Sequence, residues 1–227
     1  MLRTLEVFVK RKLRQYFKNN YATRDMVKLE NKNFAIVSNN CWGGSNYQWL
    51  NKPYNSPFIG LFMYGPCYLK LLQNFDFYMG QQLLFVDVSK YKDREKTYPV
   101  GLLADVEVHF THYKDSTEAQ LKWERRKSRL QALKSTDNLF FMICDRERVD
   151  TEIIKEFHKL PFENKLSFGA LPIDGLKDCE HVKIYERPKS KNPIVPNGRK
   201  LFKLSFLYVD LVHWFNSGKI KRTRFKY

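Results

Sequence analysis

The chain of 227 residues carries 40 Lys and Arg against 24 Asp and Glu, a net charge of +16, which attracts polyanions and anionic lipid surfaces without identifying either. No zinc-finger spacing, RNP-like aromatic motif or basic region leading into heptads accompanies that charge, so specific nucleic-acid recognition is not expected. At this length one α/β domain spanning 1–227 is expected.

The four cysteines, Cys41, Cys67, Cys144 and Cys179, are widely spaced and no signal-peptide pattern opens the chain. Reduced thiols and a cytoplasmic protein are therefore expected, with contact to the inner face of the membrane as an alternative that the basic ends leave open. The most apolar late stretch, 201–215, is too short to span a bilayer and contains Lys203, Asp210 and His213.

Residues 2–18 place Leu2, Leu5, Val9, Leu13 and Tyr16 near one helical face, with Arg3, Lys10, Arg11, Arg14 and Lys18 mostly elsewhere. This basic amphipathic helix suits an anionic membrane surface, and it equally suits packing on its own domain. A strand at 34–37 then runs into SNNCWGG (38–44), where polar and small residues crowd together. A buried strand needs only apolar residues, so this ending answers either a tight turn or a ligand.

Short helical stretches are expected at 46–50 and, with Pro66 in its first turn, at 65–78. Residues 82–88 read as a strand and 90–96 as a charged loop. Over 105–110, Val106, Val108 and Phe110 alternate with Asp105, Glu107 and His109, marking a strand with one polar face. A helix over 116–133 turns Ala119, Trp123, Leu130 and Leu133 to one side, and Arg126 falls on that side too. Strands at 138–144, 165–170 and 182–185 follow, with a helix at 151–160 between the first two. A basic, Pro-rich loop over 187–200, a last helix over 201–215 and a basic tail to 227 complete the chain.

Strands alternating with helices predict an open, mostly parallel sheet with helices on both faces, a Rossmann-like three-layer arrangement whose ligands bind beyond the carboxyl ends of the strands. Cys41, His112 and Asp145 each follow a predicted strand, and parallel strands would bring all three to one edge. They have the residue types of a nucleophile, a base and the carboxylate that orients the base. Asn39 and Asn40 could donate to a developing oxyanion. Gly43 and Gly44 would let a substrate approach the backbone, with Trp42 and Ser56 beside it.

The plainer alternative makes Cys41 a small packed hydrophobe and the glycines mere turn residues. His109, on one strand face with Asp105 and Glu107, is either acid-paired and functional or solvent-facing. Arg126 either grips an anion through its planar guanidinium or pairs with an internal acid such as Asp105 or Asp145. Arg125 and Arg129 are expected in solvent. A metal site from His109, His112, Cys41 and Cys144 has poor spacing, and neither a phosphate loop nor a dinucleotide fingerprint is present, so no cofactor is expected.

The succession SNNCWGG, NSPF (55–58), YPVGLLADVEVHFTHY (98–113), KWERRKSRL (122–130) and NLFFMICDR (138–146) resembles a bacterial family of unknown function labelled exopolysaccharide biosynthesis protein. The resemblance covers about 34–170. It implies an α/β fold and an association with making capsular or other surface polysaccharide; with the Cys41 constellation, the leading expectation is a transferase or hydrolase acting on a saccharide or its activated precursor. Cys41, the Ser56-Pro57-Phe58 run, His112 and the Arg126 helix are also distantly similar to a papain-like cysteine peptidase family. Here, however, Phe58 precedes Ile59-Gly60 rather than Asp-Trp. A non-catalytic accessory protein, binding an anionic polymer, a lipid-linked intermediate or a membrane surface through the basic ends 2–18 and 216–227 (the tail of the basic C-terminal segment 201–227), is the remaining reading.

Overall fold

A computed structural model describes residues 2–92, 95–133, 136–184 and 193–223. Residues 187–192 of the expected basic loop and 224–227 of the tail lie outside the described residues.

The protein is α/β, built on two separate sheets. The first has four parallel strands, β1 (Ala35–Ser38), β5 (Leu139–Cys144), β6 (Asn164–Gly169) and β7 (His181–Lys183), in the order β1-β5-β6-β7. The second is antiparallel and contains β2 (Leu83–Val86), β3 (Val100–Leu103) and β4 (Val106–His109). The expected strand at 105–110 therefore exists but does not join the parallel sheet. It pairs instead with β3 in a hairpin that turns at Ala104, whose φ of +52° lets the chain reverse at once.

Both faces of the parallel sheet are buried, as near-continuous apolar strands require. Ile36, Phe140, Met142, Leu166 and Phe168 pack into one core with α3 (Trp42–Trp49), α8 (Gly198–Ser205) and α9 (Leu211–Ser217). Ala35, Val37, Phe141 and Ile143 point the other way. That second core also takes in α4 (Gly65–Gln73), α5 (Phe75–Gly80), α6 (Ser116–Gln131), α7 (Thr151–Lys159) and the antiparallel sheet.

The helix expected over 65–78 is broken at Asn74, which leaves helical geometry at φ −134°. That expected over 201–215 is two helices: α8 ends at Ser205, and Asp210 caps α9 by accepting the His213 N–H at 3.0 Å. Asp115, not Ser116, caps α6: its carboxylate accepts the Glu118 N–H while Glu118 accepts the Lys114 N–H, each at 2.8 Å. The amino terminus forms α1 (Leu2–Tyr16) and α2 (Lys18–Lys28), with Val7 buried and Arg14 bonded to the buried Asp25.

Candidate functional site

The turn after β1 is held by its own polar side chains. Ser38 donates its hydroxyl to the Asn40 carbonyl and accepts the Gly43 N–H, while Asn40 accepts the Trp42 N–H at 2.9 Å. These bonds satisfy amide groups that the first turn of α3 would otherwise leave orphaned. The Asn40 amide also donates to the Cys144 sulfur at 3.0 Å and to Asn39, so both asparagines are buried scaffold. Trp42 is buried beside Phe168 and Trp214 and donates its indole N–H to Ser205.

Gly43 has a packing reason: a Cβ there would stand 2.7 Å from the Ser38 hydroxyl and 3.1 Å from Ile36. Gly198, which opens α8, is still tighter, because a Cβ would meet Asn40 at 2.5 Å and the backbone nitrogens of Trp42 and Cys41 at 2.8 and 3.0 Å. The two helix starts thus press on one another with Cys41 between them.

Cys41, at the amino end of α3, is half-buried and donates its thiol to the Leu61 carbonyl at 3.8 Å. Burial pushes this thiol up from its ordinary pKa, with nearby Arg199 pulling the other way. The resting group is a thiol.

The segment 59–63 joins the two sheets. Met63 donates to the Asn39 carbonyl at 3.0 Å, and Phe62 exchanges both backbone bonds with His109. Gly60, at φ +74°, accepts the His112 N–H at 3.0 Å. So His112 reaches the Cys41 neighbourhood through this linking segment and not through a shared parallel sheet.

A cleft of about 620 Å³ opens there, lined by Cys41, Gly44, His112 and Arg126 together with Tyr54, Tyr113, Lys122 and Arg199. That size suits a small molecule. Among the described residues no Asp or Glu lines it, whereas Lys122, Arg126 and Arg199 do.

Arg126 is 6% exposed. It donates to the Tyr113 hydroxyl, which in turn donates to the Ile59 carbonyl, and its guanidinium carbon lies 4.9 Å from the Tyr54 ring centre. Its Nε has no hydrogen-bond partner among the described residues, and no described carboxylate comes within ion-pair distance. Both acids weighed for it are engaged elsewhere, Asp105 by Lys70 and Tyr78, and Asp145 by backbone. Arg125 and Arg129 are exposed.

Asp145 leaves the same sheet edge as Cys41 but makes no hydrogen bond to His112. Its two oxygens accept the N–H groups of Ala170 at 2.6 Å and Val195 at 2.8 Å. It thereby fixes the segment leading to Gly198 and Arg199, which form the cleft wall. Burial raises its pKa, while those two amides oppose the rise.

His109 is fully buried, stacked on Phe62 with its Nε2 3.3 Å from the Glu107 carboxylate, on the antiparallel sheet. Ser56 is buried and accepts the Phe58 N–H. Among the described residues no group of three potential ligands could hold a metal ion. Sequence reasoning missed Tyr54, Tyr113, Lys122, Gly198 and Arg199. The Asn197-Gly198 pair was the available sign, since Asn197 caps α8 by accepting the Lys200 N–H.

A family model described as "Domain of unknown function (DUF1919)" matches residues 12–216. The chain belongs to the DUF1919 family. It is also 39% identical over 193 residues to an "Uncharacterized protein" of Haemophilus influenzae, covering 83% of this chain and 87% of that one. For this DUF1919 protein the match runs from within α1 to α9 and includes the whole lining of the Cys41 cleft.

Proposed function

We propose that the Cys41 cleft binds the anionic group of a saccharide or of its activated, phosphorylated precursor, in the service of surface-polysaccharide biosynthesis. The carrying observation is Arg126, a buried guanidinium without a carboxylate partner among the described residues, on the wall of a cleft whose described lining holds no Asp or Glu. A buried cation lacking a counter-charge is unfavourable, and an oxyanion held by two parallel N–H bonds relieves that cost. Arg199 adds field from the rim, while Lys122 is paired with Glu118 and lies over the Tyr113 ring. The polysaccharide setting rests on the motif resemblance between 34 and 170. The same reading takes the parallel sheet and its flanking helices as a Rossmann-like core with its ligand beyond the strand ends.

As a transferase or hydrolase, the protein would use Cys41 as nucleophile. Its sulfur forms a bond to the sugar carbon as the carbon–oxygen bond to the anionic leaving group breaks. His112 takes the thiol proton and Arg126 retains the departing anion. The resting thiol, bonded to Leu61, favours a second reading, a non-catalytic accessory protein that only holds the anion. A papain-like hydrolase would need a group to orient His112, and Asp145 already gives both oxygens to amides.

Alkylation by iodoacetamide, followed residue by residue by mass spectrometry, tests the cleft. Inorganic phosphate or a sugar phosphate should slow labelling of Cys41 severalfold and leave the exposed Cys179 unchanged; equal rates with and without the anion would sink the proposal. Polysaccharide production in a deletion background separates the two readings. Cys41→Ala abolishes it for an enzyme and preserves it for an accessory protein.

A further inference from the structure

Helix α1 is turned inside out relative to an ordinary surface helix. At 100° per residue, Leu5, Phe8, Val9, Leu13 and Tyr16 fall on one stripe. They are 60, 47, 44, 47 and 84% exposed. The opposite side, facing the body, carries Val7 with Arg11 and Arg14, which line a second cavity of about 510 Å³ floored by Trp49, Phe202 and Phe206. The sequence pattern suits either lipid or self-packing, and the apolar face does not pack on the body.

A contiguous apolar stripe left in water marks a surface that another body covers. Charge identifies that body. Residues 2–28 contain eight Lys and Arg and two acids, Glu6 and Asp25. Both acids are already ion-paired within the chain, to Lys10 and to Arg14. Lys12 is exposed within the stripe itself, over the Phe8 ring. A second copy laid face to face would oppose two sets of cations, whereas an anionic headgroup layer supplies the missing counter-charge. Fifteen residues of helix reach only about 22 Å, short of a hydrocarbon core of about 30 Å. No described helix is long and apolar enough to cross a membrane.

We infer that α1 docks on an anionic lipid bilayer, lying in the plane of the interface with Leu5, Phe8, Val9 and Leu13 towards the acyl chains and Lys12 at the headgroups. This inference stands apart from the reading of the Cys41 cleft.

Flotation of the full chain with vesicles of phosphatidylcholine containing about one third phosphatidylglycerol tests it. The protein should float with these vesicles, at least tenfold less with phosphatidylcholine alone, and lose binding as salt rises to roughly 0.5 M. The double variant Leu5→Asp, Leu13→Asp alters exposed positions only; it should keep the wild-type melting temperature and lose flotation. Absence of flotation, or equal flotation of the variant, overturns the inference. So does a wild-type dimer in light scattering that the variant converts to monomer, since a second copy would then cover the stripe.

Discussion

Two arginines with limited access to water differ in what meets their charge. Arg14, its side chain 12% exposed, is bonded to Asp25, which also accepts the Trp49 indole N–H at 2.9 Å, and lies over the Phe206 ring with its guanidinium carbon 3.9 Å from the centroid. Burial lowers its pKa and Asp25 raises it, so charge is met by charge inside the chain. Arg126 is as well covered and has a tyrosine hydroxyl where Arg14 has a carboxylate. The first arginine cements α1 and α2 to the body, and the second has no carboxylate partner among the described residues. Burial alone does not tell the two roles apart; the identity of the partner does.

The largest expected effect tests the cemented side. Asp25→Ala removes the partner of Arg14 and of the Trp49 N–H together, and unpairing a buried charge costs about 3–5 kcal/mol. Urea unfolding should register that loss, while phosphate protection of Cys41 persists wherever the variant is folded. A loss no greater than that of an exposed substitution would erase the distinction.

A third buried network, neutral rather than charged, sharpens the contrast. His181 gives its Nε2 proton to the Leu171 carbonyl, so its Nδ1 accepts from Ser167, whose oxygen accepts from His158 Nε2. Burial depresses His158 to about 4 from 6.5, and lowers His181 as well. Between those values the unfolded chain binds more protons, so stability complete above pH 6.5 is lost as pH falls towards 4. The His158 share of that loss is about 2 kcal/mol by pH 5. Unfolding of His158→Gln across this range should show a flatter pH profile than wild type.

The smallest effect on stability belongs to the cleft. Arg126→Met should stay within about 1 kcal/mol of wild type, yet abolish the severalfold phosphate protection of Cys41. Arg125→Ala, its exposed neighbour, should change neither quantity. Should Arg126→Met unfold the protein as Asp25→Ala does, both arginines would be cement.

Much of the framework was legible because apolar runs announce buried strands and helical spacing announces inward faces. The strands at β1, β5 and β6 and the inward turn of Arg126 came from pattern alone. Pattern did not reveal sheet membership. β4 alternates like any half-buried strand, and only the hairpin at Ala104, a turn without the usual Asn-Gly or Asp-Gly pair, takes it out of the parallel sheet. Nor could the sequence tell that Asp145 bonds amides 25 and 50 residues further on, or that a glycine at 198 presses on Cys41. Those facts depend on how distant segments meet. The contrast between Arg14 and Arg126 was hidden for the same reason, since a partner is a property of space and not of spacing.

Ser45, Gln48 and Arg199 line both the Cys41 cleft and the cavity behind α1, so the two hollows share a wall. If that wall couples the two hollows, linkage requires the coupling to be reciprocal. Whatever factor a vesicle adds to phosphate affinity by settling α1, phosphate must add to vesicle affinity. Measuring either titration in the presence of the other reads out how stiffly three side chains transmit the state of a surface helix to the mouth of a thiol.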